Sequence, residues 1–214
     1  MKRQMITGAV LVALAAAVAQ PVFCDEATPE AAEPEADGKV FDSFEFDHNL
    51  FRGRSGQYQE APSRVFATRT AEDAHNGKKA LKVKYEKKGA GGKYGMGGWC
   101  GYWSHLKKGK SYFDASPYSK LTLWVKGSNG GEIFRIGIAD MHWDKLQDSV
   151  KSQDIGSYLP DGQVTTDWQK AEIPLDEWFV DMKQLASLAV CFESDNYPNG
   201  EQAGVVFIDD LQFE

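Results

Sequence analysis

Residues 121–140 read LTLWVKGSNGGEIFRIGIAD, and the fold turns on how they are read. Two apolar runs flank Ser128-Asn129-Gly130-Gly131, a group rich in residues that tolerate positive φ. In the first run Leu121, Leu123 and Val125 fall on one side of an extended chain, and Thr122, Trp124 and Lys126 on the other. In the second, Phe134, Ile136 and Ile138 share a side opposite Arg135, Gly137 and Ala139, with Asp140 at the exit. A period of two on both sides of a turn predicts a β-hairpin with one face on a core. The opposite face sets small residues beside an aromatic, an arginine and an acid. Small side chains leave room above a sheet, so this face is the first candidate for a shallow ligand groove.

The same punctuation runs outward in both directions. Residues 40–47, 63–70, 80–85 and 98–103 read as strands, the third (ALKVKY) alternating apolar residues with lysines. His75-Asn76-Gly77-Lys78 carries Asn-Gly, a hairpin signal. Residues 52–56 and 89–98 read as loops, the second glycine-rich, and the stretch from Asp140 to Pro160 as irregular. Strands follow at 169–173, 188–192 and 205–213, with one helical turn at 174–178. Many short strands separated by Gly, Pro, Asn and Asp, without a long helix, predict an all-β sandwich or jelly roll of two antiparallel sheets.

The N-terminal residues belong to a different class. Lys2 and Arg3, the apolar run 5–19 and a small-residue stretch form the layout of a secretory signal peptide in residues 1–24, with cleavage after Ala19 or Cys24. Export to a secreted or periplasmic location is therefore expected. Residues 25–38 hold six acids, two prolines and no large apolar side chain, the composition of a flexible acidic linker. The remainder, 39–214, fits one domain, and no later stretch is long and apolar enough to span a membrane. The net charge of −7 becomes −9 once Lys2 and Arg3 leave with the signal, which argues against nucleic acid as a partner. The lysine clusters, Lys87-Lys88 among them, read as solvated strand ends and loops. If Cys24 is removed, Cys100 and Cys191 remain, either paired in an oxidising compartment or as two separate thiols.

The ordered motifs resemble the galactose-binding-domain-like β-jelly rolls, and among them the carbohydrate-binding modules attached to secreted glycan-degrading enzymes. The pieces that carry this are Phe41-Asp42-Ser43-Phe44-Glu45, the run His75-Asn76-Gly77-Lys78-Lys79-Ala80-Leu81-Lys82-Val83, Trp99 to Trp103, the strand from Leu121 to Gly127 with Gly130-Gly131-Glu132, Asp167-Trp168-Gln169-Lys170 with Ile173-Pro174-Leu175, and Phe207-Ile208-Asp209-Asp210-Leu211. A related family with similar motifs includes assembly factors of the respiratory chain, so fold alone does not fix function.

The resemblance implies two sites. One is a structural calcium joining the first and last strands, with Glu45 and Asp209 as the matching acids, Asp210 as a substitute, and backbone carbonyls around Gly77 and Lys78. Calcium takes six to eight oxygens, which carboxylates and turn carbonyls supply. The other is a concave face that binds a polysaccharide or oligosaccharide. Flat rings suit the C–H faces of sugars and polar groups suit their hydroxyls. The candidates are Trp99, Tyr102 and Trp103 on one strand, Trp124 and Arg135 on the central hairpin, and Asp140, His142 and Trp143 at its exit. Trp99 and Trp103 share a side by period two, and Tyr102 faces away from them.

Catalysis has little support. His48, His75, His105 and His142 show no metal-ligand spacing, and no Gly-x-Ser-x-Gly elbow is present. With 31 acids, some pair always looks suited to glycoside hydrolysis. Two other readings remain: a jelly-roll polysaccharide lyase using Tyr102, Lys126, Arg135 and His142, and a structural or assembly protein that docks an envelope or secreted protein partner.

Overall fold

A computed structural model describes residues 39–214 apart from Lys110, Ser194, Asn196 and Pro198. The signal peptide and the acidic linker lie outside the described residues. The chain forms β1 (Lys39–Asp42), β2 (Ser55–Gln59), β3 (Arg64–Thr70), β4 (Ala80–Lys87), β5 (Cys100–His105), β6 (Lys120–Gly127), β7 (Arg135–Asp140), helix α1 (Met141–Leu146), β8 (Val150–Asp154), β9 (Gln169–Pro174), β10 (Leu185–Phe192) and β11 (Gln202–Phe213). One sheet has the order β3-β4-β11-β6-β9, with β1 also on β11; the other runs β2-β5-β10-β7-β8. Every pairing is antiparallel. The two sheets face each other as a β-sandwich of jelly-roll type.

The alternation predicted for β4, β6, β7 and β10 is present strand by strand. Leu81, Val83 and Tyr85, Leu121, Leu123 and Val125, Ile136 and Ile138, and Leu188, Val190 and Phe192 are all buried. They meet in one core between the sheets. Tyr85 of β4 stacks on Phe192 of β10 with ring centres 3.8 Å apart, and Phe134 leans on the same ring at 5.9 Å. Such aromatic contacts join the two layers and bury large areas.

The expected central hairpin is corrected. β6 pairs with β9 and β11, whereas β7 pairs with β8 and β10, so the two strands belong to different sheets. The turn residues carry the chain across the rim of the sandwich. Ser128 N donates to Val205 O at 2.9 Å and Gly131 N to Val164 O at 2.8 Å, both partners outside a hairpin. Gly130 and Gly131 do take positive φ, 82° and 77°. Alternation requires that one face meet a core. It does not say from which side, and in a sandwich the two strands approach one core from opposite sides.

Three further elements differ from the sequence expectation. Ser55–Gln59, read as part of a loop, is the edge strand β2. Within the stretch read as irregular, Met141–Leu146 is helical and Val150–Asp154 is β8. The strands escaped because SGQYQ and VKSQD carry few apolar residues. Lys87, read as solvated, continues the inward series 81, 83, 85 and is 1% exposed. Cys100 lies opposite Phe192, and Cys191 opposite Gly101. They are therefore one register step apart and point to opposite faces, and both are free thiols.

Replacing Phe192 by alanine should remove the ring that joins the layers and cost about 3–5 kcal/mol in urea unfolding. Phe179, 92% exposed, should tolerate serine within about 0.5 kcal/mol. A loss below about 1 kcal/mol at Phe192 would mean the layers are not clamped there.

Candidate functional site: a groove on the five-stranded sheet

With Leu188, Val190 and Phe192 turned inward, β10 must turn Ser187, Ala189 and Cys191 outward. Register then assembles the outer face in rows. Gly56, Trp103, Ala189, Gly137 and Lys151 lie side by side across β2, β5, β10, β7 and β8. His105, Ser187 and Ala139 form the row on one side, and Tyr58, Gly101, Cys191 and Arg135 the row on the other. The floor is thus mostly Gly, Ala, Ser and Cys. Larger side chains lie over its gaps: a Cβ at Gly56 would come 3.1 Å from Trp103 Cζ2, and one at Gly137 would meet Ser149 Oγ at 2.3 Å. The end of α1 and residues 147–149 line the groove together with Trp99 and Tyr58. The resulting groove is about 960 Å³.

Its charges are mutually neutralised. Lys151 Nζ lies 2.6 Å from Asp148 and 3.6 Å from Glu193. Burial opposes the ammonium, but these carboxylates outweigh it and raise the Lys151 pKa. Arg135 is opposed by burial in the same way and is held charged by Asp195 at 2.8 Å and Asp154 at 2.9 Å. Burial pushes the Cys191 thiol up to about 11, and the Tyr58 phenol well above its usual range. Neither supplies a nucleophilic anion at neutral pH. Two indoles, a phenol, an imidazole and hydroxyl or carboxylate oxygens around a small-residue floor suit a polyhydroxylated ligand.

Of the residues proposed from sequence, Trp99 and Trp103 line this groove together. Tyr102 points the other way and is 5% exposed in the core, as the period of two requires. Trp124 sits on the outer face of the six-stranded sheet, 3.6 Å beneath the His75 ring, because β6 belongs to that sheet. Arg135 shares the groove's face but is committed to its two carboxylates. Asp140 caps α1: one oxygen accepts from His142 N at 2.8 Å and Trp143 N at 3.0 Å, the other from Asp181 N at 2.9 Å. Burial raises the Asp140 pKa, but these amides outweigh it and hold it low. His142 and Trp143 pack edge to face on α1, and the groove is lined instead by the following Asp144 and Leu146. Tyr58, His105, Lys151 and Glu193 were missed as groove residues. His105 was legible as the next outward position after Trp103. Tyr58 and Lys151 lie on polar strands whose pattern gave no signal.

The carboxylates expected to bind calcium serve as acceptors for the 75–79 loop. Glu45 Oε1 accepts from Lys78 N at 2.6 Å and Lys79 N at 2.8 Å. Asp209 Oδ2 accepts from His75 N at 3.0 Å and Asn76 N at 3.1 Å, and its Oδ1 from Asp210 N at 2.9 Å. These N–H donors hold Glu45 below the usual range, whereas burial drives Asp209 up to about 6. Asp210 lies 3.8 Å from the His75 ring. Among the described residues no three His, Cys, Asp or Glu side chains gather as a metal would need. Glu45 Oε1 and both Asp209 oxygens meet hydrogens rather than lone pairs, and a calcium ion, which needs oxygens around it, would have to displace those N–H groups. Lys78 enters through its N–H.

A jelly-roll sandwich with an aromatic groove on its outer sheet face is the architecture of a carbohydrate-binding module. The chain belongs to the family described as Carbohydrate binding domain 30, whose profile matches residues 40–214. Among solved structures it is similar to a family 11 carbohydrate-binding module of a Clostridium thermocellum cellulosomal cellulase, at 15% identity and a TM-score of 0.56 over 82% of this chain and 93% of that one. A family 30 module from another cellulosomal cellulase of that organism gives 22% identity and 0.56 over 76% and 90%. A β-1,2-glucanase from Parabacteroides distasonis gives 15% and 0.56 over 82% of this chain but 24% of the enzyme. These structural likenesses speak to the fold. No curated protein matches the chain.

The melting temperature should be the same in excess calcium and in excess chelator, since a ligand specific to the folded state must raise it. Replacing Asp209 by alanine should orphan the loop amides and cost about 1–3 kcal/mol. A chelator-dependent fall in the melting temperature would restore the calcium expectation.

Proposed function

We propose that this protein is a non-catalytic module that lays a polysaccharide along the outer face of its five-stranded sheet. The observation that carries the reading is the pair Trp99 and Trp103, the first just before β5 and the second within it, which line one groove above a floor of small residues. At the rise of an extended chain their backbones stand about 13 Å apart, a reach that takes in several residues of a glycan chain rather than one sugar. His105, Ser187 and Asp144 offer polar groups along the same groove. Family membership supports the ligand class. The absence of catalysis is supported by Asp148 and Glu193 being tied to Lys151 and by the protonated Cys191 and Tyr58. The signal-peptide layout of residues 1–24 supports export, which would bring the groove to extracellular or periplasmic polymers.

Affinity electrophoresis against soluble mixed-linkage β-glucan, β-1,2-glucan and xylan tests the reading. Retarded migration is expected with at least one. Trp103→Ala and Trp99→Ala should each weaken that retardation about tenfold, the scale of a lost aromatic contact. Trp124→Ala, on the other sheet, should leave it within about twofold. Binding that survives both groove substitutions and falls with Trp124→Ala would move the site to the six-stranded sheet. Release of reducing ends from any of the polymers would overturn the non-catalytic assignment.

A further inference from the structure

The inward series of β4 does not stop at Tyr85. Its next member is Lys87, and a lysine at a core position must still find acceptors for its ammonium. Lys87 Nζ donates to the carbonyl of Lys88 and, at 3.1 Å, to that of Met96. These carbonyls lie near the two ends of the 88–98 loop. Ser63 adds a tie at the same place: its hydroxyl donates to Gly97 O and accepts from Lys88 N at 2.9 Å. The middle of the loop closes on itself, with Gly97 N donating to Gly91 O at 2.8 Å and Gly95 N to Gly92 O at 3.3 Å. Gly91, Gly92, Gly95, Gly97 and Gly98 all take positive φ, and glycine-rich chain loses the most freedom on ordering.

What the loop presents is the far end of the groove. Tyr94, 57% exposed, stacks on Trp99 with ring centres 5.9 Å apart and planes 22° apart. Together with Met96, Gly98, Glu193 and Asp195 they line a recess of about 270 Å³ that shares Trp99 and Glu193 with the main groove. The loop's own bonds shape its middle; its ends are tied to the sandwich by Ser63 and by the Lys87 ammonium, the charged group placed there.

We propose that Lys87 is a positioning residue for glycan binding: from inside the sandwich its ammonium ties the two ends of the 88–98 loop, so that Tyr94 stays against Trp99 and lengthens the aromatic platform. This rests on the groove being the glycan site. Lys87 touches no ligand itself; it acts through the Lys88 and Met96 carbonyls.

The test combines hydrogen exchange with binding. Lys87→Met keeps the apolar stem and removes the ammonium. Amide exchange across residues 88–98 should rise about tenfold or more while β5 and β10 keep their protection, the signature of a local opening. Affinity for the polysaccharide that retards the wild type should fall about tenfold, and Tyr94→Ala should produce the same loss. Residues acting through one contact are not additive, so the double variant should bind no worse than either single one. Unchanged loop exchange in Lys87→Met overturns the proposal, as do additive losses. If the wild type binds none of the polymers, the glycan reading fails by itself, and the exchange result still decides whether Lys87 holds the loop. Should Lys87→Met fail to fold, Lys87→Gln, with a neutral donor in place of the ammonium, carries the same readouts.

Discussion

Tyr85 lies on Phe192, and most of the molecule follows from that contact. It joins a strand of one sheet to the central strand of the other, and it fixes which way β10 faces. Once Phe192, Val190 and Leu188 point into the core, Cys191, Ala189 and Ser187 have no other side to occupy. The neighbours then follow by register: Trp103 beside Ala189, His105 beside Ser187, Gly137 beside Ala189. The groove is thus the reverse side of the core. A one-residue slip of β10 would exchange floor for core and abolish both together.

The period of two was legible in the sequence, and so was everything that depends on it within a single strand. It placed Trp99 and Trp103 on one side and Tyr102 on the other, and it put Leu188, Val190 and Phe192 inside. It failed where the question concerned two strands at once. Nothing in LTLWVKG or FRIGIAD states that the runs belong to different sheets, so Trp124 was set beside Arg135 when the core lies between their layers. It failed again where a strand has too few apolar residues to show a period, which hid β2 and with it Tyr58. Lys87 shows the converse. Its position was in phase with Leu81, Val83 and Tyr85, but its charge was taken as evidence of solvent.

The acids follow a single pattern that composition concealed. Asp140 ends β7, Glu45 lies in the loop after β1 and Asp209 sits within β11 beside its irregularity, and each accepts N–H groups from a neighbouring loop or turn. A carboxylate in such a place replaces the backbone partner that an irregular segment lacks. Acid-rich strand ends in a sandwich therefore read as latches before they read as metal ligands or catalytic pairs. The distinction lies in what faces them: amide hydrogens here, lone pairs in a cation site.

The glycines of the groove floor give the fold a separate capacity to drift. Trp103 lies over Gly56 and Ser149 over Gly137, each in space that one methyl group would take away. A single-base change from a glycine codon to alanine at either position would tilt the covering side chain and alter the depth and slope of the channel, with every aromatic residue retained. Ligand preference in such a lineage would then diverge through its smallest residues, and descendants with identical aromatic platforms would differ in the polymers they hold.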